Sequence, residues 1–383
     1  MLLNATGVPE NPAGAGRYIY ELARVAAAKP DLSLLLCTRR NDIRRWLGIL
    51  QDAKHNRIIP VAPSSRPARM FYEEFLLQRL AGSIFADNPR LSRNLVLHGP
   101  HYVIPPFRSI AKVATIHDLT LVEHREWHEP SKVLYFTHAI KQAVAHAQAL
   151  VCPSEYTARK LSDIFNPKCP IVVARHGIDL GLFCPSSPDI AVEDKELLES
   201  PGISRRYILH VGTLEPRKNI PLLIKAFDVI AERDKEISLL LAGGNGWRMG
   251  GIDKAIGAAK NAQRIKKLGY VSDRQVAALL RRAAAVCYPS AEEGFGLPAA
   301  EAMACGAPLV TTEDSAMAEM VGKAALLVPV GSFGLLVEAL QVALAGGRET
   351  ESRRLLGIEM SYNFTWEKSL KNHLKAYELA LGG

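Results

Sequence analysis

Short, wholly apolar runs alternate with longer stretches of helical periodicity along the whole chain, and this constrains the fold most. In the first half the runs are LSLLLC (32–37), NLVLHG (94–99), AKVATIHD (111–118), ALVCPS (149–154) and IVVARHG (171–177). In the second half they are YILHVG (207–212), ISLLLAG (237–243), RIKKLGY (264–270), AVCYPS (285–290) and PLVTT (308–312). Helical patterns such as NIPLLIKAFDVIAERD (219–234) and DRQVAALLRRA (273–283) fill the gaps. A strand that is apolar on both sides must be covered on both faces, so the pattern predicts an α/β fold of parallel sheets sandwiched by helices. A chain of 383 residues is long for one core and suits two.

The expected division is a Rossmann-like, doubly wound domain over 1–183, a linker over 184–204 that is rich in Pro, Ser and acid, a second such domain over 205–362, and a final helix over 363–383 capped by Thr365. Ligands of such sheets bind beyond the carboxyl ends of the strands, which places the expected site in a cleft between the domains. Six cysteines, at 37, 152, 169, 184, 287 and 305, form no CxxC pair, so neither a structural zinc nor a disulfide scaffold is expected, and a reducing cytoplasm fits. No apolar run approaches a membrane span, and no signal peptide is expected.

The net charge of +8 is lopsided. Residues 1–110 carry 15 Lys/Arg against 8 Asp/Glu, which accounts for +7 of it. A basic front third suits an anionic surface, although ordinary solubilising charge is the plain alternative. Nucleic acid is not expected, because the cations are dispersed and no aromatic-interleaved pattern accompanies them.

Four stretches carry candidate chemistry. AEEGFGLPAAEAMACGAP (291–308) follows a strand; Pro298 suits a first helical turn, and Gly306 with Pro308 ends the helix. Gly294, Phe295, Gly296 and Leu297 then form a strand-to-helix turn whose amides suit an anion, with Glu293 before it and Glu301 one turn inside. A capped helix with one solvated glutamate is the alternative. In HVGTLEPRKNIPLL (210–223), Arg217 and Lys218 precede a helix, where cations oppose the helix dipole; a bound diphosphate would explain them, a solvated pair would not need to. NATGVPENPAGAGRYIYELARVA (4–26) holds Gly14 and Gly16 before an amphipathic helix, without the GxGxxG spacing of a dinucleotide site or its dehydrogenase chemistry. In TIHDLT (115–120), His117 and Asp118 follow a strand, and His117 is either a cleft residue or a core histidine. HREWHEP (124–130) offers His124, His128 and Glu129 as a metal set, but surface polar residues flanking an acceptor cleft are the preferred reading, and no metal is expected.

Together these motifs resemble a known family. EEGFGLPAAEAMACGAPLVTT is similar to the E-x7-E motif of the retaining, GT-B family 4 glycosyltransferases, and HVGTLEPRKNIPLLIKAF to that family's diphosphate-binding turn. PAGAGRY, ATIHDLT, VCPSEYTARKL and RHGID resemble its N-terminal landmarks, and HDLTLVEHREWHEPSKVLY resembles the bacterial O-polysaccharide mannosyltransferases. PAGAGRY departs from the family in having alanine where a second adjacent glycine is common.

The resemblance implies roles. Glu301 would hold the nucleotide ribose and Glu293 the donor sugar. The amides of Phe295, Gly296 and Leu297 would meet sugar and distal phosphate, and Arg217 and Lys218 would neutralise the leaving diphosphate. His117 would lie near the anomeric centre, Gly14 and Gly16 on the phosphate side of the first domain, and Val271 beside the base. It also implies retention of configuration, no cofactor and no essential metal. The donor is expected to be a GDP-sugar carrying mannose or rhamnose, and the acceptor a polyprenyl-diphosphate-linked oligosaccharide in surface polysaccharide synthesis. The enzyme would work peripherally on the inner face of the cytoplasmic membrane. The alternatives are a UDP- or ADP-glucose-dependent synthase of the same fold, and a non-catalytic nucleotide-sugar-binding protein.

Overall fold

The structure is a computed structural model that describes residues 1–8, 14–50, 56–60, 94–104, 110–198, 203, 205–247 and 249–382. Residues 12 and 13 of the PAGAGRY stretch, and residues 199–202 and 204 of the expected linker, lie outside them. The chain divides into two compact units, Met1–Arg125 with Glu129–Gly177 and Trp366–Gly383, and Glu126–His128 with Ile178–Thr365.

The first unit is built on seven strands, β1 (Leu2–Asn4), β2 (Leu35–Thr38), β3 (Arg57–Pro60), β4 (Val96–Gly99), β5 (Ala111–Thr115), β6 (Ala149–Cys152) and β7 (Ile171–Val173). They lie in the order β3-β2-β1-β4-β5-β6-β7, with every described pair parallel. Period-two alternation sends Val113 and Val151 to one face and Ala114 and Leu150 to the other. The first face packs on Tyr18 and Leu22 of the helix Ala15–Ala27 and on Trp366 and Tyr377 of the helix Trp366–Leu381. The second face packs on Ile140 of the helix Pro130–His146.

The second unit repeats the plan with β8 (Tyr207–Val211), β9 (Ser238–Ala242), β10 (Ile265–Gly269), β11 (Ala285–Tyr288), β12 (Leu309–Thr312) and β13 (Leu326–Val328), in the order β10-β9-β8-β11-β12-β13 and again parallel. Leu209, Leu240 and Val286 face the helix Asp273–Arg282, and Ile208, Leu239 and Cys287 face the helix Ile220–Arg233. Ser272 caps the former in a capping box with Gln275, which explains where that helix begins. Both sheets have the two-Rossmann architecture expected from the apolar runs.

Two features differ from the sequence expectation. Strands β3 and β13 are short edge strands with mixed exposure that the apolar runs read as strands do not include, although β13 (LLV) is itself apolar. The stretch read as a linker contains a helix, Pro188–Leu198. It is anchored in the second unit by Asp194, which is buried and receives Arg281 Nε at 2.7 Å and Nη2 at 2.6 Å in a bidentate pair.

The last helix is tied to the first sheet by a buried polar chain. His373 Nδ1 donates to the Ser369 carbonyl at 2.8 Å, so its Nε2 accepts from Tyr18 Oη at 2.7 Å. With its proton so committed, Tyr18 Oη accepts from Thr115 Oγ1 at 2.8 Å. Thr115 Oγ1 then accepts from His98 Nε2 at 2.8 Å, and His98 Nδ1 accepts from Tyr377 Oη at 2.8 Å. The bonds that Tyr18 donates to His373 Nε2 and Tyr377 donates to His98 Nδ1 each require a neutral imidazole. Burial lowers His373 to about 4 and holds His98 well below its ordinary value, with neighbouring imidazoles adding to both. A histidine depressed in the folded state stabilises fully above the unfolded value of 6.5, and that stability is lost as pH falls toward 4. Thermal unfolding followed by circular dichroism is therefore expected to show a midpoint roughly 10 °C lower at pH 5 than at pH 7. A midpoint constant across that range would contradict the neutral-chain assignment.

Candidate functional site

Where the order of a doubly wound sheet reverses, the segments leaving two adjacent strands run apart and open a crevice at their carboxyl ends. In the second sheet this point lies between β8 and β11. The segment leaving β8 runs through Gly212 into a tight turn, Pro216–Lys218, and then through Asn219, at φ 51°, into the helix Ile220–Arg233. The segment leaving β11 runs through Glu292 and Glu293 into the helix Leu297–Ala304, with Pro298 in its first turn. Gly296 takes φ 91° there, and a Cβ on it would stand 2.4 Å from Met317 Cγ, so the turn needs glycine for both backbone and space.

These segments bring three of the candidate side chains together. Arg217 Nη1 donates to Glu293 Oε2 at 2.5 Å and to the Glu292 carbonyl at 3.1 Å. Lys218 Nζ donates to Glu293 Oε1. Arg217 Nε pairs with Glu215 Oε1 at 2.5 Å. Lys218, Glu215 and Glu293 are buried and Arg217 is partly buried, so two cations and two carboxylates balance one another with only Arg217 reaching water. Burial pushes the Glu293 carboxyl up, but Arg217 and then Lys218 outweigh it and hold it at about 2. Burial, reinforced by the Arg217 charge, lowers Lys218. The cations at the helix entrance thus have anionic partners of their own, and any incoming diphosphate must share them.

Glu301 lies in the helix Leu297–Ala304 and is buried. The nearby Tyr288 hydroxyl is pushed well up by burial and then by the charges of Glu301 and Glu293, so both carboxylates bear on the same ring. Phe295 is buried with its ring 6.0 Å from that of Phe364, and Leu297 is buried in the same core. Val271 is half-buried on that core, just before the Ser272 cap.

The remaining candidates belong to the first unit. Gly14, at φ 52°, precedes the helix Ala15–Ala27, whose second residue is Gly16. His117 follows β5; its Nε2 donates to the Pro100 carbonyl at 2.8 Å, which leaves Nδ1 as the acceptor edge. Its ring lies 5.0 Å from Tyr18, 5.4 Å from His101 and 5.8 Å from His176. Burial lowers it, so it is neutral at physiological pH. Asp118 Oδ1 accepts from the Thr120 amide at 3.1 Å and hydroxyl at 2.8 Å, which makes it the brace of the turn after the strand.

The polar stretch 124–130 departs from its expected surface role at one residue. His128 is buried, its ring 5.7 Å from Trp247, and the Trp247 Nε1 donates to the Trp127 carbonyl. Among the described residues, no group of three or more His, Cys, Asp or Glu could hold a metal ion. Sequence reasoning missed Glu215 and His210. Glu215 stands two residues before Arg217, and that spacing was a usable signal; His210 was hidden inside an apolar strand.

A family described as "Glycosyl transferases group 1" matches residues 194–357, and one described as "Glycosyltransferase Family 4" matches residues 12–182. The O-antigen chain mannosyltransferase B of Escherichia coli is 28% identical over 290 residues, 75% of this chain and 75% of that one. A D-inositol 3-phosphate glycosyltransferase of Actinosynnema mirum is 30% identical over 259 residues, 62% of this chain and 58% of that protein, so this chain spans less than two thirds of the second relative. The solved structure of sucrose-phosphate synthase from Thermosynechococcus elongatus matches with a TM-score of 0.77 at 20% identity over 98% of each chain, a likeness of fold.

Proposed function

We propose, for a chain that belongs to the two-domain GT-B glycosyltransferases and resembles the O-antigen mannosyltransferases, that it moves mannose or rhamnose from a GDP-sugar to a polyprenyl-diphosphate-linked oligosaccharide with retention of configuration. The observation that carries the donor site is the Arg217–Lys218–Glu293 cluster at the reversal point of the second sheet, with a helix N-terminus beside it. Arg217 and Lys218 would take the diphosphate oxygens, Glu293 the sugar hydroxyls and Glu301 the ribose hydroxyls. The amides of Phe295, Gly296 and Leu297 would meet the distal phosphate, and Val271 would border the base. In the first unit, His117, Gly14 and Gly16 keep their assignments to the sugar and phosphate side.

The bond from the anomeric carbon to the diphosphate oxygen breaks as the acceptor oxygen bonds to that carbon on the same face. The acceptor proton passes to the departing diphosphate. Negative charge accumulates on the leaving group, and fixed cations in a dry site stabilise that charge more in the transition state than in the ground state. No cofactor or essential metal enters the scheme. Mannose is favoured by the name of the E. coli relative, and a membrane-side acceptor by the excess of basic charge in residues 1–110. Among the described residues no helix is long and apolar enough to cross a membrane.

A thermal-shift screen with GDP, UDP, ADP and their sugars tests the reading, because a ligand that binds only the folded chain raises its midpoint. GDP and GDP-mannose are expected to give the largest shifts, and added anionic vesicles to retain the protein at low salt and release it at high salt. Stabilisation by UDP- or ADP-glucose instead would replace the donor assignment, and no shift with any nucleotide would remove it.

A further inference from the structure

Among the described residues of the second unit, two buried side-chain polar atoms lack a hydrogen-bond partner, His210 Nε2 and Ser290 Oγ. Both stand near the carboxyl ends of β8 and β11, the strands that flank the cation cluster. A serine hydroxyl can rotate toward whatever arrives; an imidazole anchored at one nitrogen cannot. His210 Nδ1 donates to the Cys287 carbonyl on β11 at 3.0 Å, which fixes the tautomer and leaves Nε2 with a bare lone pair. That lone pair borders the same space as Lys218: a Cβ placed on Gly212 would lie 3.9 Å from His210 Nε2, 3.9 Å from Lys218 Cε and 4.0 Å from Lys218 Nζ.

A buried acceptor without a donor costs stability, whereas an apolar ring of the same size would fill this place without that cost. Lys218 carries three N–H donors and commits one to Glu293. We propose that His210 is a positioning residue for Lys218: when a donor diphosphate draws the ammonium from Glu293, His210 Nε2 accepts one of its N–H groups and holds the charge on the diphosphate. The proposal rests on the donor-site reading above. A neutral acceptor suits the task, because a second cation there would repel Lys218 and a third carboxylate would compete with the diphosphate for it. His210 is neutral at physiological pH, burial lowering it to about 4.

The test is calorimetric titration of the full chain with GDP, and with UDP in parallel, in a double-mutant cycle. His210→Asn can still donate to the Cys287 carbonyl but offers Lys218 no acceptor, whereas His210→Gln can carry an amide oxygen to the Nε2 position. His210→Asn is expected to weaken binding about tenfold, His210→Gln to stay within about threefold of the parent, and His210→Asn to add no loss in a Lys218→Met background. An equal loss in both backgrounds would make His210 merely structural and overturn the proposal, as would parental binding by His210→Asn. Should His210→Asn not fold, His210→Phe, which keeps the ring volume without the acceptor, takes its place in the cycle. If the parent binds neither nucleotide the donor-site reading fails and takes the proposal with it; if the parent binds and the cycle shows no coupling, only the proposal fails.

Discussion

Replacing Glu293 with alanine is expected to lower sugar transfer by about 100–1000-fold, read as nucleoside diphosphate released from the donor in the presence of acceptor. The size follows from the place of the carboxylate. It is buried, and it is the common partner of Arg217 and Lys218. Its removal takes away the proposed sugar contact and also deprives the buried Lys218 ammonium of the Glu293 carboxylate, while Arg217 keeps its pair with Glu215. Stranding a buried charge typically costs about 3–5 kcal/mol, so the variant should also unfold at a lower temperature. Glu293→Gln separates the two effects, since it keeps the shape and part of the hydrogen bonding while losing the charge. Lys218→Ala should slow transfer by the same order without stranding a cation. Near-parental turnover by folded Glu293→Ala and Lys218→Ala would overturn the assignment of both residues.

Gly243→Ala is expected to destabilise the second unit by about 3 kcal/mol or more and to abolish nucleotide-induced stabilisation. Gly243 has φ 149°, and a Cβ there would fall 2.0 Å from the Gly212 carbonyl oxygen and 2.6 Å from its carbon. The obstacle is backbone, which no rotamer change can clear. Gly212 is also held, its amide donating to the Ala242 carbonyl at 2.9 Å, while the Gly243 amide donates to the Gly269 carbonyl at 2.7 Å. The ends of β8, β9 and β10 are thus fastened to one another at these glycines, and Lys218 and His210 border the space over Gly212. Gly244→Ala is the control: a Cβ at Gly244 meets nothing within 4 Å, and that variant should melt close to the parent. Matching midpoints for the two variants would refute the steric argument.

Legibility varied along the chain for physical reasons. Strands β4, β5, β6, β8, β9, β11 and β12 are buried throughout or nearly so, and their apolar runs announce them. Strands β3 and β13 lie at sheet edges and are only four and three residues long, too short to stand out from their surroundings. The helix Pro188–Leu198 was masked by its Pro, Ser and acid content, because the residue that anchors it, Asp194, looks like any solvated acid until Arg281 lies beside it. His373 and His98 were invisible for the same reason: their roles depend on Tyr18 and Thr115, which are remote in sequence.

By itself the sequence determined what is local. It specified two covered parallel sheets, the turn after β11 with Pro298 and Gly296, the cations before the helix at 220, and hence which residues are candidates for a donor site. Helix ends, glycine turns and strand runs are encoded within a few residues of where they act, so they can be read in line. Tertiary structure alone decided that Arg217 and Lys218 are already paired with a carboxylate 76 and 75 residues away, and that His210 aims a bare nitrogen at the space beside Lys218. Those partnerships exist only because β8 lies next to β11, and that adjacency comes from packing the whole sheet rather than from any single stretch of it.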